Sequence, residues 1–516
     1  MLLMLGVLMN QRMLIGTVVL SSAILLLFAY HCYPLPTPDA FAFLPATISF
    51  AAGKGLVNPL CSFTPFLVDD AGQPRYVQYP PLYNLLVGFL MWEPTPRAAS
   101  LVISILNVGS VVLTGLLLSH ASRSYPEGST SRTWVCVGGI VGLTSLFVVF
   151  QNGRPEGLAT LWVLLGAWSI RSGSRFSWPL VGGLLGLLAS THLASAAISI
   201  AIISGYLSCG QSTKRQIVLL AAKTGAFACL VFVTVLWLSP NSTRDTLVGI
   251  GYHARVAGSV TGWSWEHIAS VWMSNPHLPA YGLLLVAISS SGFIAAYLYR
   301  HQICVHVFLW FSVFVGLVCS GYLAFRAPQF GYNLYPFIPL GIVMLVHVHG
   351  ITVARGRQFS AMVSTVGVVT LMSMGSIGGV RHLLLFPRYY QEGMTLDEAR
   401  SAFGHLVGST QDPVGVSTAL WMLTEDYGRL RVLHASDIGR SVDTSARYLI
   451  WQQGQLGRLE PPVIPGFRQI LNHYRAGPIH LAGIKIANTV PGYQFAALLA
   501  EEEDWRTVTN ESRPRE

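Results

Sequence analysis

Pro80-Pro-Leu-Tyr-Asn-Leu-Leu-Val-Gly-Phe-Leu-Met-Trp92 is an apolar stretch of about a dozen residues, shorter than the roughly 20 needed to cross a bilayer as a helix. Whether it crosses decides the sidedness of everything after it. Runs long enough to span lie around it at 13–32, 98–119, 132–150, 156–170, 217–238, 278–298, 304–325, 331–349 and 359–380. The stretch 178–209 is too long for one span and carries Thr191-His192 at its midpoint, so it divides into a tight pair of short helices with the histidine at the turn. If 80–92 stays on one side, the loops holding Arg123 and Arg132, Arg171 and Arg175, Lys214 and Arg215, Arg300, and Arg355 and Arg357 all share a side with Arg12. If it crosses, every one of those loops faces outward, against the tendency of Lys and Arg to stay cytoplasmic. The segment is therefore predicted to lie flat on the outer surface as a juxtamembrane helix.

Composition agrees with many spans. Of 516 residues, 52% are hydrophobic and 11% charged, against about 25% charged in soluble proteins, and the mean hydropathy is +0.51. The fold class expected is a polytopic α-helical membrane protein of about eleven transmembrane helices, with juxtamembrane helices in the first outer loop. The formal charge of +9 is spread singly over short loops and forms no nucleic-acid-binding stripe, so no nucleic-acid partner is expected. The first apolar run follows Arg12 and ends in His-Cys-Tyr-Pro, which is not a small-x-small cleavage site, so it reads as an uncleaved signal anchor. The seven cysteines show neither CxxC nor metal spacing. Most sit in apolar runs as small core residues, while Cys32 and Cys61 share the outer loop, where a disulfide is open.

With that sidedness, the non-repeated polar residues gather at the outer face. They lie in the loop 33–97, in Gln151-Asn-Gly-Arg154-Pro-Glu156, at His192, in 239–277, in Arg326-Ala-Pro-Gln329 and after Arg381. Residues 1–380 are expected to form the transmembrane domain, with 33–97 as its catalytic outer loop. Residues 381–516 have no spanning run but contain strand-like Arg429-Leu-Arg-Val-Leu433 and Ala446-Arg-Tyr-Leu-Ile-Trp451 between turn residues. They are expected to form a small soluble extracytoplasmic α/β domain.

Within the outer loop, Tyr33-Pro-Leu-Pro-Thr-Pro-Asp39 places one carboxylate just beyond the first span. There it can meet both a lipid-borne and a water-borne substrate, as a base at the interface must. Asp39 also suits the N-cap of a helix starting at Ala40, a role compatible with that of a base. Four pieces together resemble the C-type (GT-C) glycosyltransferases that use polyprenyl-phosphate sugars, a group that includes the aminoarabinose transferases and protein O-mannosyltransferases (family 39/83-like). The first is Asp39 followed by a helix and Gly53-Lys-Gly55; the second is Val77-Gln-Tyr-Pro-Pro-Leu-Tyr83. The third is Gly153-Arg154-Pro-Glu156, and the fourth is Arg326-Ala-Pro-Gln-Phe-Gly-Tyr-Asn-Leu-Tyr-Pro336. Two positions depart from the family pattern: Ala40 stands where many relatives carry a second acid, and Tyr79 where they often carry His or Lys.

The resemblance implies transfer of a sugar from a polyprenyl-phosphate donor to a hydroxyl of an extracytoplasmic glycan, lipid or protein acceptor, with inversion, at a cell membrane. Asp39 would be the catalytic base. The phosphate leaving group would be held by Arg154 and Arg326, whose planar guanidinium groups bind it bidentately. Glu156 would orient Arg154 or simply favour the helix N-terminus. Arg154 and Arg326 also read as headgroup anchors; His192 belongs to the expected substrate-binding set as a donor or acceptor contact, or else is a satisfied structural histidine. Lys54, Arg75, Tyr79 and Tyr83 complete the expected substrate-binding set, with Lys54 and Arg75 otherwise simply solvated. No cofactor is implied, since the lipid-linked sugar is itself a substrate. The outer loops hold no Asp-Glu or Asp-x-Asp cluster, which argues against a required divalent ion. The rival classes are a ligase that moves a whole lipid-linked oligosaccharide, and a transporter or flippase, whose charged path would lie nearer the midplane.

Overall fold

The computed structural model describes residues 2–34, 40, 43–60, 76, 79–126, 129–150, 153–172, 177–209, 213–241, 243–259, 335–354, 356, 381–408, 412–417, 420–424, 430–433, 446–452, 466–473, 476–481, 483–489 and 492–501. The described helices of the first half are α1 (Leu2–Tyr30), α2 (Leu44–Ala51), α3 (Leu82–Leu90), α4 (Pro96–Ala121), α5 (Thr130–Phe150), α6 (Glu156–Ser172), α7 (Ser177–Ala189), α8 (Leu193–Cys209), α9 (Lys214–Leu238) and α10 (Thr243–Ser259). Among the described residues, three helical segments are long and apolar enough to cross a membrane: Arg12–Tyr30, Pro96–Ser124 and Lys214–Leu238. The expected spans at 278–298, 304–325 and 359–380 lie outside the described residues.

Helix α3 has nine residues, so it is about 14 Å long, less than half a bilayer core. It does not change sides. The N–H of Leu82 donates to the carbonyl of Ser190 in the turn between α7 and α8 (2.9 Å). Seven residues beyond its end, Arg97 opens α4 and lies over the ring of Tyr30 at the end of α1 (5.4 Å). Helices α1 and α4 are therefore antiparallel, and the chain alternates from there. Asn241, after α9, donates its side-chain amide to the carbonyls of Tyr76 (2.8 Å) and Leu56 (3.3 Å) in the first loop. Tyr30, Arg97, Glu156, Ser190 and Asn241 thus share one end, and Arg12, Arg123, Arg132, Lys214 and Arg215 belong to the other. The separation matches the basic-loop expectation.

The long apolar stretch divides as expected, with His192 between α7 and α8. Helix α7 lies close against α9 because Gly182 and Gly186 face it. A β-carbon on either would come within 2.5 Å of the carbonyl oxygens of Thr224 and Ala228, so only a small residue permits the approach. At the basic end, α11 (Ile338–Ala354) is pinned by Tyr125, whose hydroxyl bonds Nδ1 of His349 (2.5 Å), and by Ser124, which donates to the carbonyl of His347 (3.1 Å).

The C-terminal part begins with α12 (381–391) and α13 (Leu396–Val407). The latter starts on a capping box in which Thr395 and Glu398 bond each other's backbone N–H, an arrangement that satisfies two orphan donors at once. Strands β1 (Val414–Ser417), β2 (Leu430–Leu433), β3 (Tyr448–Gln452), β4 (Phe467–His473), β5 (Ala476–Leu481), β6 (Ile484–Thr489) and β7 (Phe495–Ala500) follow. Five of them form a sheet in the order β2-β1-β3-β7-β4, and β5 pairs with β6 alone. Strand β1 is parallel to β2 and β3, while β7 is antiparallel to both its neighbours. The strand-like segments at 429–433 and 446–451 are β2 and β3.

This part is fastened to the end of α1. Just past the helix end, Tyr389 donates its hydroxyl to the carbonyl of His31 (2.9 Å) and Tyr493 to that of Cys32 (3.0 Å). Tyr33 packs edge-on against Phe28, Phe386 and Tyr389, with centroids 4.9–5.1 Å apart. Cys32 carries a free, buried thiol, so it is not in the disulfide with Cys61 that the sequence left open.

Candidate active site

The first outer loop folds around Phe43. Its ring has Tyr79 at 4.7 Å, Tyr83 at 6.0 Å and Tyr76 at 6.4 Å between centroids. Behind it, the side-chain amide of Asn84 donates to the carbonyl of Phe43 (2.7 Å) and to Oγ1 of Thr47 (2.9 Å). Asn84 and Thr47 are fully buried, and a buried amide is costly unless bonded, so this contact locks α2 to α3. Gly88 lets the two helices touch, since a β-carbon there would meet Phe50 and the carbonyl of Thr47 at 2.7 and 3.0 Å.

Helix α2 begins at Leu44, with Phe43 at its N-cap, no side-chain cap and a proline in its first turn. Ala40, four residues earlier, is in a 3-10 turn whose carbonyl accepts the N–H of Phe43 (3.1 Å), and the capping alternative for Asp39 falls on a residue outside the described ones. Asp39 itself, Arg75 and Arg326 lie outside the described residues.

The turn before α6 packs directly on this helix. Gly153 has φ +87°, and a β-carbon there would lie 2.5 and 2.6 Å from Cγ and Cδ1 of Leu44, so both conformation and contact require glycine. The next residue, Arg154, is 13% exposed and clasps Glu156, which is 1% exposed. Nη2 donates to Oε1 at 2.9 Å and Nε to both oxygens at 3.2 Å. Arg154 thus has a counter-charge in Glu156 while its side chain remains accessible from outside. Glu156 is the first residue of α6, where a carboxylate favours the helix dipole. Tyr83 stands close enough for this charge to act on it: burial first, and the Glu156 carboxylate second, push its phenol well above the usual range. Its hydroxyl is buried with no hydrogen-bond partner among the described residues.

Tyr79, Tyr83, Arg154 and Glu156 are therefore brought together at the start of α2. Two expected residues stand apart. Lys54 is exposed in the turn after α2, at the opposite end of that eight-residue helix, about 12 Å of rise from Phe43. His192 is buried, and its Nδ1 accepts the N–H of Ser195 (3.2 Å) and pairs with its hydroxyl (2.8 Å); this is the position and bonding of an N-cap for α8. The turn itself still abuts α3 through Ser190, and Trp162 of α6 ties to it by donating to Thr191 (3.1 Å). Asn84, Gly153 and Leu44 were missed by sequence reasoning. A lone amide inside Leu-Tyr-Asn-Leu-Leu was the available signal for Asn84, since buried amides need partners. Among the described residues no group of three or more His, Cys, Asp or Glu is placed to hold a metal ion.

The model of glycosyltransferase family 87 matches residues 76–325, a segment that includes Tyr79, Tyr83, Arg154, Glu156 and His192 and leaves out Asp39, Lys54, Arg75 and Arg326. The motifs pointed to families 39 and 83; what the matched family shares with them is the C-type fold. No curated protein sequence matches the chain. Among solved structures, the apo form of the Archaeoglobus fulgidus oligosaccharyltransferase aligns with a TM-score of 0.52 at 9% identity, covering 86% of this chain and 70% of that one. The same enzyme tethered to an acceptor peptide containing the NVT sequon aligns at 0.49 and 10% identity, covering 86% and 69%. Its complex with an inhibitory peptide and a dolichol-phosphate aligns at 0.47 and 10%, covering 86% and 70%.

Proposed function

For a chain that is a membrane glycosyltransferase of the C-type fold, we propose transfer of a sugar from a polyprenyl-phosphate donor to an acceptor hydroxyl, with inversion and with Asp39 as base. The observation that carries this reading is the seating of the Gly153-Arg154-Pro-Glu156 turn on Leu44. Asp39 lies five positions before Leu44 in the sequence, a reach of at most about 18 Å, which allows the acid to act beside Arg154. A sugar on a lipid phosphate is already activated; the enzyme needs only to deprotonate the acceptor and stabilise charge on the departing phosphate.

In this scheme Arg154 and Arg326 bind the phosphate, Glu156 positions Arg154, and Tyr79 and Tyr83 line the sugar site, with the buried Tyr83 hydroxyl available as a donor. Arg75 assists from the same loop, whereas Lys54 and His192 serve the loop's surface and the α8 cap. The site faces the extracytoplasmic side, because the basic loops belong to the opposite end. Residues 381–516 form an extracytoplasmic domain resting on α1.

The test is radiolabelled transfer in proteoliposomes. Asp39→Asn should abolish turnover while leaving donor binding largely intact, and full activity in that variant would sink the assignment. Supplying a lipid-linked oligosaccharide beside the single-sugar donor distinguishes a ligase, which would prefer the former.

A further inference from the structure

A cavity of about 230 Å3 opens where the end of α1 and the start of α4 meet the segment between α12 and α13; Tyr30, His31, Arg97, Tyr390, Thr395 and Asp397 line it. Arg97 donates through Nη2 to both carboxylate oxygens of Asp397 (2.9 and 2.8 Å) and lies over the ring of Tyr30. The Tyr390 hydroxyl lies against both ring nitrogens of His31, Nδ1 and Nε2. Arg97 is 40% and Asp397 70% exposed, and both tyrosine rings are exposed, so solutes reach these groups.

The charges cancel. The guanidinium is neutralised by the carboxylate, and burial, followed by the nearby Arg97 charge, holds His31 below its usual range and hence uncharged at neutral pH. What remains is a neutral lining with two aromatic faces and several donors and acceptors. An anion would meet Asp397 as soon as it met Arg97, whereas a hydroxyl-rich neutral ring uses both partners and stacks on tyrosine. The volume is below the roughly 300–1,000 Å3 of drug-sized pockets and suits a single ring.

We propose that this cavity is a saccharide subsite holding one neutral sugar unit of a glycan acceptor. The acceptor assignment rests on the transfer reaction proposed above; the binding of a neutral sugar does not.

The full chain in phosphatidylcholine nanodiscs is examined by saturation-transfer NMR with mannose, glucose, galactose and N-acetylglucosamine, and with phosphate, glucuronate and phosphocholine as competitors. At least one neutral sugar should give a signal that survives Asp39→Asn. Tyr30→Leu and Asp397→Asn should each weaken it at least fivefold with an unchanged unfolding midpoint, and Tyr30→Leu should raise the acceptor KM at constant kcat. Absence of any sugar signal, equal signals in Tyr30→Leu, or displacement by phosphate, glucuronate or phosphocholine would each overturn the subsite. A wild type that binds sugars but transfers none sinks the reaction and the acceptor role alone; an active wild type without a sugar signal sinks the subsite alone.

Discussion

Replacing Gly153 with alanine should lower transfer activity without touching any charged group, because it wedges the Arg154 turn away from α2. At φ +87° an alanine costs about 1–2 kcal/mol in backbone strain. Its β-carbon would also lie 2.5 and 2.6 Å from Cγ and Cδ1 of Leu44, where carbon pairs rest at about 3.5–4.0 Å; overpacking of this kind costs about 1–3 kcal/mol more. The expected loss of stability is about 2–5 kcal/mol. A displacement of about 1 Å at a site that must align two reactants lowers turnover by up to roughly 100-fold. Leu44→Ala removes the obstructing atoms but leaves a hole, since Leu44 is 1% exposed, and should cost about 2–5 kcal/mol alone. The double variant should then be more stable than the sum of the two by about 1–3 kcal/mol, and more active than Gly153→Ala. Denaturant unfolding in detergent and radiolabelled transfer in proteoliposomes measure the two quantities. Strict additivity, or wild-type turnover in Gly153→Ala, would refute the claim that this contact positions the site.

Glu156→Gln should destabilise the empty protein by about 2–4 kcal/mol, because it strips the counter-charge from a mostly buried Arg154; added polyprenyl phosphate should raise the unfolding midpoint of the variant more than that of wild type. His382, pressed against Tyr33, is held at about 4 by burial and then by the Arg381 charge, down from 6.5. Above pH 6.5 both folded and unfolded chains carry it neutral. Between 6.5 and 4 only the unfolded chain takes up the proton, so stability should fall by up to about 3 kcal/mol as pH drops through that window and then level off. His382→Gln should flatten this part of a stability-against-pH curve, and an unchanged slope would refute the assignment.

The sidedness of the helices was legible in advance because it rests on two strong signals, apolar length and the placement of Lys and Arg. The short α3, the break at His192 and the strands at 430–433 and 448–452 follow from segment lengths and turn residues alone. The nearness of Arg154 and Glu156 was also legible, being only two residues apart. What brings them to Tyr83 and Phe43 was not. That depends on Gly153 seating on Leu44, residues 109 positions apart, and no local pattern announces which glycine will meet which leucine. His192 reads two ways in the sequence for a related reason. A histidine at a turn between membrane helices has the same sequence appearance whether its ring meets a substrate or caps the helix that follows; only the bond from the N–H of Ser195 tells the two apart.

The Arg154–Glu156 pair also bears on how such a site would discriminate between the lipid phosphate before and after transfer. A guanidinium left alone with so little solvent would be expensive, and it would hold any phosphate tightly, product included. With Glu156 alongside, Arg154 is already compensated, so a donor phosphodiester bearing one negative charge gains little. On the proposed reaction the departing lipid becomes a phosphate monoester of about −1.5 to −2 charge at neutral pH, and that growing charge appears in the transition state. The pair therefore weakens the hold on the more highly charged product most of all, so Glu156 serves turnover by easing release of the departing lipid phosphate, a step that limits kcat in many enzymes. A donor Kd that improves in Glu156→Gln while kcat falls is the pattern this requires.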